Sequence, residues 1–154
     1  MSDVDVAVKK IREAMEKSPE AWVTAVEELA ADSIRVRHDP PIEDWGSTEE
    51  MEGGVNSARM CAVWRNEIEA FRRAAPDYHV SHIDVGVTSE GGLYFANHHT
   101  GTMSDGRVVS APVRVTTDPL ENGKIVSWTV TTYEDAVPQL RDWLAAGQMQ
   151  LPQA

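Results

Sequence analysis

Acid–base chemistry is the chemistry that the titratable residues of this sequence best support. Asp39 follows the alternating apolar and polar segment Ser33–His38 and precedes Pro40. If the strand end borders an apolar cavity, the pKa of this carboxylate rises and it can carry protons near neutral pH, so Asp39 is the first candidate for a catalytic base. An aspartate before a proline is also a common turn residue, so a purely structural role stays open.

The adjacent histidines His98 and His99 are the second candidates. Neighbours on a regular β-strand point to opposite faces, so only one of the two can enter a pocket. The face that carries Leu93, Phe95 and Asn97 is the more apolar one, which predicts that His99 points inward with the Asn97 amide beside it. There His99 can act as a second proton carrier, and Asn97 or a tyrosine as an oxyanion donor. A bulge in the strand would reverse the assignment, and a structural, hydrogen-bonded histidine is the alternative to a catalytic one.

Neither a metal ion nor a cofactor is expected. A zinc or iron site needs three convergent ligands, and His79 and His82 do not provide that spacing even when the pair at 98–99 is added. The glycine pairs at 53–54 and 91–92 lack the strand–loop–helix setting of a phosphate-binding loop.

The periodicity of apolar residues predicts the elements that must position these side chains. Its period is helical in the first half of the chain and becomes two from Tyr78 onward. Short Gly-containing turns between the last four strands predict antiparallel hairpins. The predicted helices are 3–16, one beginning at Pro19, 56–74 and 136–146, and the predicted strands are 33–38, 78–88, 92–103, 107–117 and 124–134.

The 154 residues, 42% of them hydrophobic, suit one α+β domain, with a core at about 5–146 and a loose tail at 147–154. The net charge of −11 disfavours nucleic acid and anionic membranes as partners. The single cysteine, Cys61, suits a reducing cytoplasm, and its helical, apolar neighbours predict a buried, inert thiol. The long acidic loop 39–54 carries Trp45, which can serve as a lid or as a partner contact.

The order of these elements, together with four local segments, resembles the nuclear transport factor 2-like superfamily, in particular its SnoaL-like and ketosteroid-isomerase-like branch. The resemblance covers roughly residues 5–135. The segments are Glu28–Ser33 with the strand that ends at His38-Asp39-Pro40, Ala75-Pro76-Asp77 at the end of the third helix, Gly101-Thr102, and the strand start Asn122–Trp128.

The resemblance implies a cone-shaped, barrel-like fold in which helices and a strongly curved antiparallel sheet enclose an apolar pocket. Asp39 matches the position of the ketosteroid isomerase base, and strand histidines like His99 serve the scytalone-dehydratase-like members. The residues expected to line the pocket are Trp22, Trp64, Phe95, Tyr94, Val113 and Trp128. A homodimer formed through the outer face of the sheet is also implied.

A cofactor-independent isomerase, dehydratase or cyclase is therefore the leading functional hypothesis, with a small hydrophobic carbonyl- or hydroxyl-bearing molecule as its substrate. Thr132 stands where polyketide cyclases of the SnoaL type carry an aspartate, which argues against their mechanism. The alternatives are a non-catalytic protein that binds a small molecule in the same pocket, and a dimeric accessory protein that uses the loop around Trp45. This scaffold hosts all of these functions, so the fold alone does not choose between them.

Overall fold

The computed structural model describes residues 2–39, 51–132 and 136–148 of the chain. Its helices are α1 (Asp3–Lys17), α2 (Pro19–Leu29), α3 (Ser57–Ala74) and α4 (Ala136–Ala146), and its strands are β1 (Ala30–Asp39), β2 (Val55–Asn56), β3 (His79–Val87), β4 (Leu93–Thr102), β5 (Val108–Thr116) and β6 (Ile125–Thr132). Every predicted element is present, with described ends within three residues of the predicted ones. The short strand β2 was not predicted, and the predicted positions 133–134 of the last strand lie outside the described residues.

Local sequence signals explain where the helices begin and end. The Ser2 hydroxyl accepts a hydrogen bond from the Asp5 backbone amide, and the Asp5 carboxylate reaches back to the Ser2 backbone, which forms a capping box for α1. Ser18 caps α2, and Pro19 occupies its first position, where a missing N–H costs no hydrogen bond. Pro76 follows the C-cap of α3, as expected for a residue that cannot continue a helix.

The six strands form one curved, open sheet in the order β2-β1-β6-β5-β4-β3. The strands from β3 to β6 are joined by antiparallel pairing, as the short turns predicted. The expectation of a wholly antiparallel sheet needs a correction, because β1 pairs with β6 in parallel. No short turn connects these two strands, so no local signal fixes their relative direction.

A β-bulge interrupts the pairing of β3 with β4. The register shifts between Ser81 and Asp84, so His82 and Ile83 together face Asn97, and His82 has a φ of +53°. Beyond the bulge β4 keeps strict alternation, with Leu93, Phe95, Asn97 and His99 buried. The predicted inward face of β4 is therefore confirmed.

The helices cover the concave face of the sheet, and the buried side chains of both layers form the core. Cys61 is buried in this core, and burial raises the pKa of its thiol to about 11, in line with the predicted inert role. No helix in the described part of the chain has the length and apolar character that crossing a bilayer requires. Trp45, most of the loop 39–54 and the tail from 149 lie outside the described residues.

Candidate active site

A cavity lies between the helices and the concave face of the sheet. Its enclosed volume is about 50 Å³, and the empty space reaches about 590 Å³ when the opening to solvent is included. Its walls are apolar except for His38, Glu67 and His99. The full lining consists of Trp22, His38, Trp64, Glu67, Ile68, His99, Val113, Val115, Trp128, Val130 and Leu140.

His38 reaches the cavity because β1 alternates. Ile34, Val36 and His38 are buried on one face of this strand, and the residues between them are exposed. Burial lowers the pKa of His38 to about 4, because an apolar environment penalises the imidazolium ion. The imidazole is therefore neutral at pH 7.

Asp39, the predicted base, is exposed and does not line the cavity. It pairs with Thr131 on β6, whereas His38 pairs with the cavity residue Val130. The same alternation that turns His38 inward turns Asp39 outward. The burial that was expected for Asp39 is thus not found, and its role as a base stays a prediction.

Glu67 enters the cavity from α3. Trp64, Glu67 and Ile68 are spaced i, i+3 and i+4, so they share one face of the helix. Glu67 is 9% exposed, and its Oε2 has no hydrogen-bond partner within the described part of the chain. Burial raises the pKa of this carboxyl to about 8, so it carries a proton at neutral pH.

His99 occupies the inward face of β4 as predicted, and His98 lies on the other face with its Nδ1 3.2 Å from the Ser110 hydroxyl. The Nδ1 atom of His99 lies 2.8 Å from the hydroxyl of Tyr78, which is buried as well. Burial lowers the pKa of His99 to about 4, and the nearby His98 acts in the same direction. His99 is therefore also a neutral imidazole at pH 7.

Aromatic rings form much of the cavity wall. Of the six residues predicted to line the pocket, Trp22, Trp64, Val113 and Trp128 do line this cavity. The Trp64 and Trp128 rings are 4.9 Å apart between centroids. The Nε1 of Trp22 is buried and has no hydrogen-bond partner among the described residues.

The other two predicted lining residues lie elsewhere. Phe95 is fully buried behind the wall, with its ring 5.7 Å from Trp22 and 5.0 Å from Trp128 between centroids. Tyr94 must be corrected, because it lies on the opposite face of β4, where the Arg114 guanidinium sits 5.8 Å from its ring centroid. Adjacent strand residues cannot both face inward, and Phe95 takes the inward position.

Asn97, the predicted oxyanion donor, is 1% exposed on the buried face of β4. Neither of its side-chain amide atoms has a hydrogen-bond partner within the described residues. It pairs with the cavity residue Val113 and borders a second hollow, whose lining includes His82, His98 and Arg114. An unpaired buried amide is costly, so it is available to a ligand or water that reaches it.

Two cavity residues, His38 and Glu67, were missed at the level of sequence. Alternation along 33–38 places His38 on the face of Ile34 and Val36, and the helical period places Glu67 on the apolar stripe of α3. A titratable residue that interrupts an apolar series was the signal that could have found both.

Within residues 2–39, 51–132 and 136–148, no three His, Cys, Asp or Glu side chains cluster as a metal site would require.

Solved structures similar to this chain show the nuclear transport factor 2-like fold. An NTF2-like protein of unknown function from Burkholderia pseudomallei matches at 17% identity and a TM-score of 0.60, with 91% of this chain and 98% of that chain covered. A proposed isomerase from Bacillus subtilis matches at 12% identity and a TM-score of 0.58, covering 93% and 97%. An LEH-like epoxide hydrolase from M. tuberculosis matches at 10% identity and a TM-score of 0.52, covering 92% and 91%.

No protein-family model and no curated protein matches the sequence. At these identities the structural matches show the fold, and the reaction must be argued from the site itself.

Proposed function

We propose that this protein is a cofactor-independent acid–base enzyme, an isomerase or lyase, that acts on a small, mostly apolar molecule with a carbonyl or hydroxyl group. The observation that carries the proposal is the burial of the Glu67 carboxyl and of the His38 and His99 imidazoles in the wall of one apolar cavity. Titratable groups with strongly perturbed pKa values in one cavity are typical of active sites.

The burial of these groups opposes folding, which supports a functional reason for their presence. A buried polar atom without a partner costs about 1–3 kcal/mol, which applies to the Glu67 Oε2 among the described residues, and a leucine or glutamine at position 67 would avoid the ionisation penalty. The cavity walls are otherwise apolar, so the three groups are the points at which a ligand oxygen can be bound or a proton transferred.

The pKa values suggest a role for each group. Glu67, with a pKa of about 8, is protonated at neutral pH and can donate a proton to a ligand oxygen. His38 is neutral and can accept a proton from carbon. Protonation of His38 alone would leave a positive charge buried in the cavity. Because Glu67 gives its proton to the ligand oxygen in the same turnover, a carboxylate forms in the same cavity, and the net charge of protein and ligand together does not change.

His99 and Asn97 complete the proposed site as hydrogen-bonding groups. They are two residues apart on the buried face of β4, where His99 lines the cavity and Asn97 borders the second hollow, so Asn97 takes part only with a ligand that extends from the cavity to its amide. Donors fixed before the reaction stabilise a developing enolate oxygen without reorganisation.

Exchange of the proton α to a carbonyl tests the proposal without knowledge of the natural substrate. The protein would be incubated in D₂O with a panel of small cyclic and aromatic ketones, and deuterium incorporation would be followed by NMR. We expect catalysed exchange in the wild type and a loss of about 10²–10⁴-fold in His38→Gln and in Glu67→Gln. Asp39→Asn is the matched control, because Asp39 is adjacent to His38 and exposed.

The outcomes separate the candidate bases. Loss of exchange in Asp39→Asn with retention in His38→Gln would restore Asp39 as the base and contradict the assignment to His38. Equal exchange in all four proteins would show that the cavity does not catalyse it.

A non-catalytic binding protein is the second candidate, and the aromatic walls of the cavity favour it. Trp22, Trp64 and Trp128 can hold an apolar molecule without any chemistry. Panel compounds that quench tryptophan fluorescence saturably but undergo no exchange would support this function.

A homodimer formed through the outer face of the sheet is a further proposal. This face presents Val108, whose side chain is 70% exposed. Light scattering that compares the mass of the wild type with that of Val108→Glu tests it.

A further inference from the structure

Tyr78 is buried beside the cavity residue His99 and is held by contacts with neighbouring aromatic rings. It follows α3 by four residues, and its ring packs 5.3 Å from Phe71 and 5.5 Å from Trp143 between centroids. The ring is stacked on that of His99 at 6.0 Å with an interplanar angle of 15°. The hydroxyl therefore meets the Nδ1 of His99 from a rigid position, at 2.8 Å.

The direction of this hydrogen bond follows from the number of N–H and O–H protons that the two groups carry. A neutral imidazole has one N–H, on either Nδ1 or Nε2, and a phenol has one O–H. If Nδ1 held the proton, it would donate to the Tyr78 oxygen, and the phenol proton would need another acceptor. Among the described residues, the only hydrogen bond of the Tyr78 hydroxyl is the one to His99. A buried O–H without an acceptor is unfavourable, so the phenol donates and Nδ1 accepts.

Burial keeps both partners in the required protonation state. Burial raises the pKa of Tyr78 well above its usual range, and the nearby Glu67 acts in the same direction, against Arg72. The phenol therefore keeps its proton throughout the physiological pH range. His99 stays neutral, because burial lowers its pKa to about 4.

We propose that Tyr78 is a positioning residue that holds His99 as the Nε2–H tautomer, so that His99 presents a hydrogen-bond donor, and not a base, to the ligand. Its Nδ1 is occupied by Tyr78, which leaves Nε2 as the ring nitrogen for the cavity. The hydrogen bond that one ring nitrogen of a histidine makes sets which nitrogen carries the proton.

The tautomer of His99 determines which ligand groups the site can bind and which residue can act as the base. A fixed N–H donor requires an acceptor on the ligand, which favours a carbonyl, ether or hydroxyl oxygen over an ammonium group. Proton abstraction from carbon then falls to His38. This catalytic meaning rests on the proposed function, whereas the tautomer itself is a property of the ligand-free protein.

Long-range ¹H–¹⁵N correlation spectra of the ligand-free protein test the tautomer directly. We expect a pyrrole-type ¹⁵N shift for Nε2 of His99 and a pyridine-type shift for Nδ1, with the signals assigned by their loss in His99→Gln. In Tyr78→Phe we expect both nitrogens to move toward intermediate shifts, because the donor to Nδ1 is gone. Tyr94→Phe, which removes a hydroxyl from the other face of β4, should leave the His99 shifts unchanged.

Two results would overturn the proposal. A pyrrole-type Nδ1 in the wild type would show that His99 donates to Tyr78. This measurement uses only the wild-type protein, so it does not depend on whether the Tyr78 variant folds. A Tyr78→Phe protein with wild-type His99 shifts would show that Tyr78 does not set the tautomer. Neither result depends on turnover, so failure here is distinguishable from failure of the ketone exchange assay.

Discussion

Replacing Glu67 by glutamine removes the carboxyl that can ionise and keeps nearly the same shape. In the folded protein burial raises the pKa of Glu67 to about 8, whereas its ordinary value is 4.5. Folding therefore takes up a proton between these two pH values. The contribution of Glu67 to the free energy of unfolding is fully present below pH 4.5 and is lost as the pH rises through 8.

The magnitude follows from the size of the shift. In the window between the two pKa values the wild type loses about 1.4 kcal/mol of stability per pH unit. Glu67→Gln lacks this dependence, so the difference in unfolding free energy between the two proteins should change by about 2 kcal/mol between about pH 6.5 and about pH 9.

Urea unfolding of both proteins at the two pH values measures this change, and the difference cancels other titrating groups. Glu69→Gln is the matched control, because Glu69 lies two residues away on α3 and is exposed. It removes one carboxyl from the same helix outside the cavity and so controls for the loss of a charge. A difference between wild type and Glu67→Gln that stays constant with pH would show that burial does not raise the pKa of Glu67, which would remove the acid from the proposed mechanism.

Three further predictions concern buried groups. We expect His38 and His99 to keep neutral-imidazole NMR shifts down to about pH 5, because burial lowers the pKa of each to about 4. The stability that the two neutral imidazoles provide is present above pH 6.5 and is lost as the pH falls through 4. Titration of either imidazole near pH 6.5 would contradict this prediction. Cys61 should be alkylated far more slowly in buffer than in urea, as read by mass spectrometry, since burial raises its pKa to about 11; equal rates would contradict its burial. Gly101→Ala should lower the free energy of unfolding by about 1–3 kcal/mol in urea denaturation, because a Cβ would lie 2.9 Å from the Trp143 ring, and unchanged stability would refute that contact.

The elements of the fold could be predicted because each has local signals. Ser2, Ser18 and Pro19 define helix starts, and the glycine-containing turns define three hairpins. The pairing of β1 with β6 could not be predicted in the same way. It joins segments about 90 residues apart in sequence, and no turn specifies its direction.

The candidate site was predictable in part for the same reason. Alternation along β4 identified His99 and Asn97, and the structure places both on the buried face. The same alternation applied to β1 selects His38 as the inward residue. Asp39 was predicted in its place because it matches the position of the ketosteroid isomerase base. Glu67 was not predicted because charged residues in a helix usually face solvent, although the helical period places this one on the apolar stripe of α3.

A crystal structure after soaking with small ketones and alcohols tests the central claim most directly, because the claim concerns which groups a ligand meets. We predict density in the cavity between Trp64 and Trp128 on one side and β4 on the other, with the ligand oxygen within hydrogen-bond distance of Glu67 or of the Nε2 of His99. A cavity closed by its own side chains, or a ligand whose oxygen contacts none of His38, Glu67 and His99, would contradict the proposed acid–base site.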